Sequence, residues 1–120
     1  MRKITSQSVD AFVNGYRFNQ GNTTVSGCGA NEIRVWYLKL HNNLIAKKIV
    51  FVNELWITDA GWQTVTTKER LNGVLSRLTF GWGLFQKKGE WYLTDGDVTV
   101  QWTGSATFRA GNLITQKGEI

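Results

Sequence analysis

Hydrophobic residues are densest between residues 33 and 58, where their pattern is typical of β-strands. Residues 33–40, with the sequence IRVWYLKL, are rich in β-branched and aromatic side chains, which favour strands. Asn42-Asn43 and Asn53-Glu54 then supply residues that suit two-residue hairpin turns. The pattern therefore predicts a three-stranded antiparallel meander. The predicted cross-strand pairs are Leu40 with Ile45, Leu38 with Lys47, Trp36 with Ile49, Arg34 with Phe51, Phe51 with Trp56 and Val50 with Ile57.

Both faces of the predicted meander are largely apolar, so a covering layer is expected on each side. One face would carry Trp36, Leu38, Leu40, Ile45, Ile49, Phe51 and Trp56. The other face would carry Ile33, Val35, Tyr37, Val50, Val52, Leu55 and Ile57. The tip of the first hairpin is different, because it gathers Lys39, His41, Lys47 and Lys48.

Two helices are predicted outside this meander. A short N-terminal helix is expected to be capped by Ser6 or Ser8 and to end at Gly15. The second helix, at about residues 66–77, opens on the capping box Thr66-Thr67-Lys68-Glu69. Its apolar positions have the spacing of a helix that packs on a sheet. These positions are Leu71, Val74, Leu75 and Leu78.

Two further hairpins are predicted between residues 80 and 102. A three-residue loop, Lys87-Lys88-Gly89, would place Phe85 opposite Trp91 on an apolar face. If this loop used only two residues, Phe85 would instead join Tyr92 on the other face. A tight turn at Asp95-Gly96 would pair Leu93 with Val98 and Trp91 with Val100. The half-polar face of these strands would carry Trp82, Leu84, Tyr92, Thr99 and Gln101.

The apolar pattern weakens after Trp102. Residues 103–120 are expected to add an edge strand at Ala106–Arg109 and then to fray. Since 120 residues suit one domain, residues 1–120 are interpreted as a single α+β domain. Its expected architecture is a twisted antiparallel sheet of five to seven strands, built from meander hairpins, with the short N-terminal helix and one capped helix packed on the sheet.

Composition narrows the classes of function. The chain has one cysteine and one histidine, which excludes an intrachain disulfide and a zinc site built from four Cys or His ligands. No apolar run is long enough to span a membrane, and none follows the N-terminus as in a signal peptide. We therefore expect neither a membrane partner nor a cofactor.

Motifs for catalysis or metal binding are not found in the sequence. His41 lies at a predicted turn without a neighbouring acid or nucleophile, and Cys28 is expected to be a bystander thiol. Glu90, Asp95 and Asp97 do not complete a calcium loop, and the two aspartates are expected to stabilise a turn. The protein is therefore expected to be non-catalytic, with no metal site.

The net charge of +5 and the placement of aromatic residues favour binding to a nucleic acid. Aromatic rings stack on bases, while cations contact phosphates. The expected interface consists of Trp82, Tyr92, Lys87 and Lys88 on the second face of the late hairpins. Further phosphate contacts are expected at the first hairpin tip and on one flank of the second helix, from Lys39, Lys47, Lys48, Arg70 and Arg77. Whether these groups share one face depends on the fold.

Several segments resemble short proteins that recur in the genomes of tailed bacteriophages. The segments are Ser8–Gly15, Gly21–Val25, Ile57–Trp62, Thr66–Asn72 and Gln86–Leu93. The resemblance covers about residues 4–94, and Thr66–Asn72 and Gln86–Leu93 are its most specific parts. It implies a phage protein that acts in the cytoplasm of the infected bacterial host, and it supplies no catalytic residues.

Small phage accessory proteins often bind nucleic acid or inhibit a host protein, such as a defence nuclease. A nucleic-acid partner is therefore the leading expectation for this chain. The alternative is a host-protein partner, with a role in countering defence or in host takeover. A minor virion protein is a third class, and it predicts that the chain is present in purified particles.

Overall fold

The computed structural model describes residues 2–29 and 34–116, which form two helices and two antiparallel sheets. The helices are α1 (Lys3–Asn14) and α2 (Val65–Leu78). The strands are β1 (Phe18–Gln20), β2 (Thr23–Cys28), β3 (Val35–Leu40), β4 (Asn43–Ile49), β5 (Glu54–Thr58), β6 (Gly83–Lys87), β7 (Glu90–Thr94), β8 (Thr99–Gln101), β9 (Ser105–Arg109) and β10 (Asn112–Thr115). A large sheet has the order β1-β2-β3-β4-β5-β9-β10, and a small sheet has the order β6-β7-β8. The predicted α+β class is confirmed.

The β3–β4–β5 meander is present, but its first turn lies one residue earlier than predicted. His41 and Asn42 both have positive φ, 49° and 68°, which is the geometry of a type I′ hairpin turn. Leu40 therefore pairs with Asn43, and a bulge at Ile45 shifts the register again. The observed pairs beyond the bulge are Leu38 with Ala46, Tyr37 with Lys47, Trp36 with Lys48 and Val35 with Ile49.

The second turn of the meander is also longer than predicted. Ile49 pairs with Glu54, so residues 50–53 form a four-residue loop. Phe51 lies in that loop with 72% of its surface exposed, and the predicted pair of Phe51 with Trp56 is wrong. The bulge at Ile45 places Leu55 and Ile57 on the same face as Leu38.

Among residues 2–29 and 34–116, helices cover one face of the large sheet and not the other, contrary to the expectation of cover on both sides. Lys48 Nζ donates to the carbonyl oxygen of Val13 in α1, at 2.5 Å. Arg70 in α2 donates to the hydroxyl of Thr23 on the same face. The fully buried side chains between these layers include Phe12, Val25, Leu38, Ile57, Leu71 and Leu75.

Helix α1 begins earlier than the sequence predicted. Neither serine caps it: the helix starts at Lys3 with Arg2 at the N-cap position. Ser8 is buried inside the helix, where its hydroxyl donates to the carbonyl of Thr5 at 3.2 Å. The predicted end is confirmed, because Gly15 adopts φ 80° as the C-cap.

Helix α2 has the predicted apolar stripe but a different cap. Leu71, Val74 and Leu75 are buried, which confirms the stripe. The hydroxyl of Thr64, rather than that of Thr66, accepts from the backbone N–H of Thr67 at 3.1 Å. The predicted capping box does not form.

The β6–β7 hairpin of the small sheet has a two-residue loop, which was the alternative to the predicted three-residue loop. Lys87 pairs with Glu90, so the turn contains only Lys88 and Gly89, and Phe85 lies opposite Tyr92. At the next turn Leu93 pairs with Val100 rather than with Val98. The Asn72 side chain of α2 bonds both backbone groups of Leu84, at 2.6 and 2.9 Å, and fixes β6 against the helix.

The last strands complete the large sheet. β9 pairs with β5 on one side and with β10 on the other, so the expectation of an edge strand at Ala106–Arg109 is wrong, and β10 is the edge. Residue 33, expected to begin a strand, and residues 117–120 of the expected tail lie outside the described residues.

Candidate nucleic-acid interface

The face of the large sheet that bears no helix among the described residues is called the open face here. The outward side chains of the central strands on this face are Val35, Tyr37, Lys39, Lys47, Ile49, Glu54, Trp56, Thr58, Ser105, Thr107 and Arg109. Side chains alternate between the two faces of a strand, so this set is separated from the core by the sheet itself. Most of these side chains are half-buried, and Arg109 is exposed.

Aromatic and basic side chains form a transverse row across the open face. Tyr37 lies directly opposite Lys47 on the next strand, and Lys47 lies directly opposite Trp56. The ammonium nitrogen of Lys47 is 4.0 Å from the centre of the Trp56 ring, within the range of a cation–π contact. The ammonium group is therefore held against the Trp56 ring at the surface of the sheet.

A carboxylate anchors the other edge of the Trp56 ring. Glu54 accepts from the indole nitrogen of Trp56 at 2.7 Å and from Arg109 Nη2 at 2.8 Å. These two hydrogen bonds lower the pKa of Glu54 from its ordinary value of 4.5, and the bond from Trp56 has the larger effect. Since Glu54 is the only acidic residue in the open face as defined, Lys39 and Lys47 keep this surface positive.

The predicted cations of the first hairpin tip are divided between two faces. Lys39 and Lys47 lie on the open face, whereas Lys48 points to the covered face and bonds Val13 of α1. Burial lowers the pKa of Lys48 below its ordinary value of 10.5. The prediction that all three lysines share a tip is therefore wrong for Lys48, because the bulge at Ile45 reverses the alternation predicted for it.

The two arginines of α2 do not share an exposed flank as predicted. Arg70 is 1% exposed, and it donates to Glu69 at 3.3 Å and to Thr23 at 3.3 Å, as well as to Thr5. Burial, with the neighbouring Arg2, lowers the pKa of Arg70. Arg77 is exposed and forms an ion pair with Asp10 at 2.5 Å.

The late hairpins form a smaller aromatic and basic patch. Phe85 and Tyr92 stack with their ring centres 5.4 Å apart, and Lys87 and Lys88 are exposed nearby on the same hairpin. Trp82 does not join them, because its ring packs on Phe108 at 6.2 Å. The structure therefore puts Phe85 in the place where the sequence prediction had Trp82.

The open face contains residues that sequence reasoning did not assign to the interface. Tyr37, Trp56 and Arg109 were not among the expected contacts. Alternation along β3 already places Tyr37 beside Lys39 on one face. The sequence pattern does not show the bulge that brings Lys47 and Trp56 to that same face.

The chain is similar to a known protein family over almost its whole length. Residues 1–115 match the family described as Kyanoviridae Gp96 protein. The chain belongs to this family. Kyanoviridae is a phage family, so the expected phage origin is confirmed, and the match extends beyond the segment at which the resemblance ended. Neither the curated proteins nor the solved structures that were searched include a match to the chain.

The isolated reactive groups of this Kyanoviridae Gp96 family protein lie in turns or at strand ends. His41 occupies the β3–β4 turn, and Cys28 is an exposed free thiol at the end of β2. Asp95 accepts from the backbone N–H groups of Val98 and Asp97, at 2.7 and 2.9 Å, and these bonds lower its pKa. Across residues 2–29 and 34–116 no group of three or more His, Cys, Asp or Glu residues is placed to hold a metal ion.

Neither helix in the described parts of the chain combines the length and the apolar character that crossing a membrane requires.

Proposed function

We propose that this phage protein is a non-catalytic accessory protein that binds single-stranded nucleic acid on its open face, in the cytoplasm of the infected bacterial host. The observation that carries the proposal is the row of Tyr37, Lys47 and Trp56 across a sheet face without helical cover. Such a row offers rings to bases and a cation to the backbone between them.

The shape of the open face favours a single strand over a duplex. Its side chains belong to neighbouring strands of a sheet and project only a short distance, so they cannot enter the major groove of a duplex, which admits a helix or a β-ribbon. A single strand can lie across the face with its bases unstacked. Lys39 lies on one side of the central row, where it can contact a phosphate, whereas Arg109 lies on the other side and is paired with Glu54.

The other predicted cations support the open face as the main interface. Arg70 is buried, Lys48 bonds α1, and Arg77 is paired with Asp10. Lys87 and Lys88 remain free to contact a phosphate, but Glu90 lies directly opposite Lys87 on the same hairpin. We therefore assign them a secondary contact.

A salt-titrated binding assay with single- and double-stranded DNA and RNA tests the proposal. Changing Lys39 and Lys47 together to Gln removes two phosphate contacts, so the slope of log K against log salt should fall by about 1.4 for a single strand. The matched control changes Lys87 and Lys88 to Gln, with the same loss of charge, and should have a smaller effect. No binding at low salt would overturn the proposal, and a larger loss in the control would move the interface to the late hairpins.

A second candidate function, inhibition of a host protein, is favoured by exposed apolar side chains at one end of the large sheet. The apolar end is defined by Val50, Phe51, Val52 and Phe80, of which the two phenylalanines are 72% and 71% exposed. Backbone bonds from Ala110 to Asn53 and from Phe80 to Gly111, both 3.0 Å, hold the loops of this end together. Exposed rings on a fixed support are typical anchors of protein interfaces.

A pull-down from infected-cell lysate, with and without nuclease, distinguishes the two candidates. A host protein that docks on the apolar end should be lost when Phe51 and Phe80 are changed to Ser, and should survive nuclease treatment. Val98→Ser is the control, because Val98 is 51% exposed in a loop of the small sheet. Capture that depends on nucleic acid would count against the host-protein role.

A further inference from the structure

A cleft of about 360 Å³ lies between the β3–β4 turn and the start of α2. Its floor is apolar, because Leu40 and Ile45 line it and are 4% and 2% exposed. These two side chains belong to the covered side of the large sheet, so the cleft is separate from the open face. Its volume lies within the range of about 300–1,000 Å³ that is usual for small-molecule sites.

One wall of the cleft is the ring of Trp62, which is 61% exposed. The backbone N–H of Trp62 donates to the carbonyl of Asp59 at 2.8 Å, and that of Gly61 donates to the Asp59 carboxylate at 2.8 Å. Between them, Ala60 adopts φ 54°, a conformation that residues with a Cβ rarely adopt. The chain thus holds a large, mostly exposed aromatic ring in a fixed turn beside an apolar cavity.

The rim of the cleft supplies a free polar group. Within the described residues, no hydrogen bond engages the side-chain amide of Asn43, whereas the hydroxyls of Thr64 and Thr67 bond each other at 2.9 Å. The Asn43 side chain offers one acceptor and two N–H donors in one plane. Asn makes this type of paired contact with the edge of a base.

The charge of the lining selects against a phosphate. The described lining contains no lysine or arginine, and its one carboxylate, Asp59, is 5% exposed and already accepts from Gly61, Gln63 and Trp102. A phosphate would therefore meet no lysine or arginine in the cleft, and His41 is the one lining residue that can carry a positive charge. A neutral, planar ligand with donors and acceptors on its edge fits all of these features.

We propose that the cleft binds the planar base of a nucleoside, stacked on Trp62 and contacted along its edge by Asn43. The base can belong to a free nucleoside or to a single strand, since the chemistry of the ring is the same. This inference does not depend on binding to the open face.

Titration of the isotope-labelled protein with adenosine, guanosine, cytidine and uridine, followed by NMR, tests the site. The Trp62 indole signal, assigned with Trp62→Phe, and the Asn43 side-chain amide signal should shift and saturate with at least one nucleoside. Trp62→Ala should weaken binding about tenfold or more through the loss of stacking. Tyr16→Ala, which removes an exposed ring outside the cleft, should leave binding unchanged.

Further probes separate the sources of the base. If free nucleosides give saturable shifts, the cleft binds free nucleosides. If shifts appear only with a short oligonucleotide, the cleft binds a base within a strand. Ribose and an abasic oligonucleotide should give no shift. The proposal would be overturned if these two probes gave shifts equal to those of the nucleosides, or if no probe that carries a base gave a shift. It would also be overturned if Trp62→Ala bound the base as tightly as the unchanged protein.

Discussion

The carboxylate of Asp59 accepts a hydrogen bond from the indole nitrogen of Trp102, with 2.9 Å between the two atoms. This bond connects the segment that follows β5 to the segment that precedes β9. The same carboxylate accepts from the backbone of Gly61 and from the side chain of Gln63. One buried carboxylate therefore holds in place both the segment that leads into β9 and the turn that carries Trp62.

Replacement of Asp59 should destabilise the protein clearly. Asp59→Ala leaves the buried indole N–H of Trp102 without a partner, which costs about 1–3 kcal/mol in the free energy of unfolding. Urea denaturation measures this loss. Asp97→Ala, at an exposed residue, is the matched control and should change the free energy by less than about 0.5 kcal/mol. Equal effects of the two changes would contradict the role given to Asp59.

The two arginines of α2 should respond very differently to removal. Arg70→Ala removes a buried side chain that donates to Thr23 and Glu69, and the buried hydroxyl of Thr23 loses this donor, which costs about 1–3 kcal/mol. Arg77→Ala removes only an exposed pair with Asp10, worth about 0–1 kcal/mol. Chemical denaturation of both variants checks the difference. If Arg70→Ala lowered the free energy of unfolding no more than Arg77→Ala, the stabilising role given to the buried Arg70 side chain would be contradicted.

Gly27 should not tolerate a side chain. A Cβ at this position would lie 3.0 Å from three atoms of the Trp36 ring, and Trp36 is buried. Gly27→Ala should therefore cost about 1–3 kcal/mol through overpacking. At Gly83 a Cβ would meet only the Asn72 oxygen at 3.6 Å, so Gly83→Ala should be mild. Thermal unfolding of the pair compares them, and similar melting temperatures would refute the expected clash.

Stability should fall in acid partly because of Glu69. The hydroxyl of Thr5 is the main cause that lowers the pKa of Glu69 from its ordinary value of 4.5, and Arg2 adds to it. Between the lowered pKa and 4.5 the unfolded chain binds more protons than the folded chain, so the free energy of unfolding decreases as the pH falls through this window. Glu69→Gln should flatten the pH dependence there. The experiment is urea denaturation at a series of pH values, and an unchanged slope would contradict the assignment.

The sequence pattern predicted which segments form elements better than it predicted how they pair. Leu71, Val74 and Leu75 recur with a helical period and are buried as expected. The strands of the meander and of the late hairpins were predicted, whereas β1 and β10 were not. The faces of the predicted strands depended on single residues in turns. The turn at His41-Asn42 and the bulge at Ile45 are decided by backbone geometry and packing, neither of which has a period in the sequence.

The candidate interface was predictable only in part, for the same reason. Lys39 and Lys47 were expected to contact a partner, and both lie on the open face. Arg70 reads as a surface cation in the sequence, because nothing local reveals that Thr5 and Thr23, distant along the chain, supply its partners. Trp56 was expected in a buried face, and a register shift brought it beside Lys47.

The pairing of β5 with β9 has a consequence for the order in which the chain folds. Strands β1 to β5 are consecutive neighbours in the sheet and can pair as soon as they are synthesised, because only short loops must close. β9 joins β5 only after residues 59–104 have been made. Until then the edge of β5 stays unpaired and can template association with another chain. Interrupted synthesis within residues 59–104 would therefore release chains that tend to aggregate through β5.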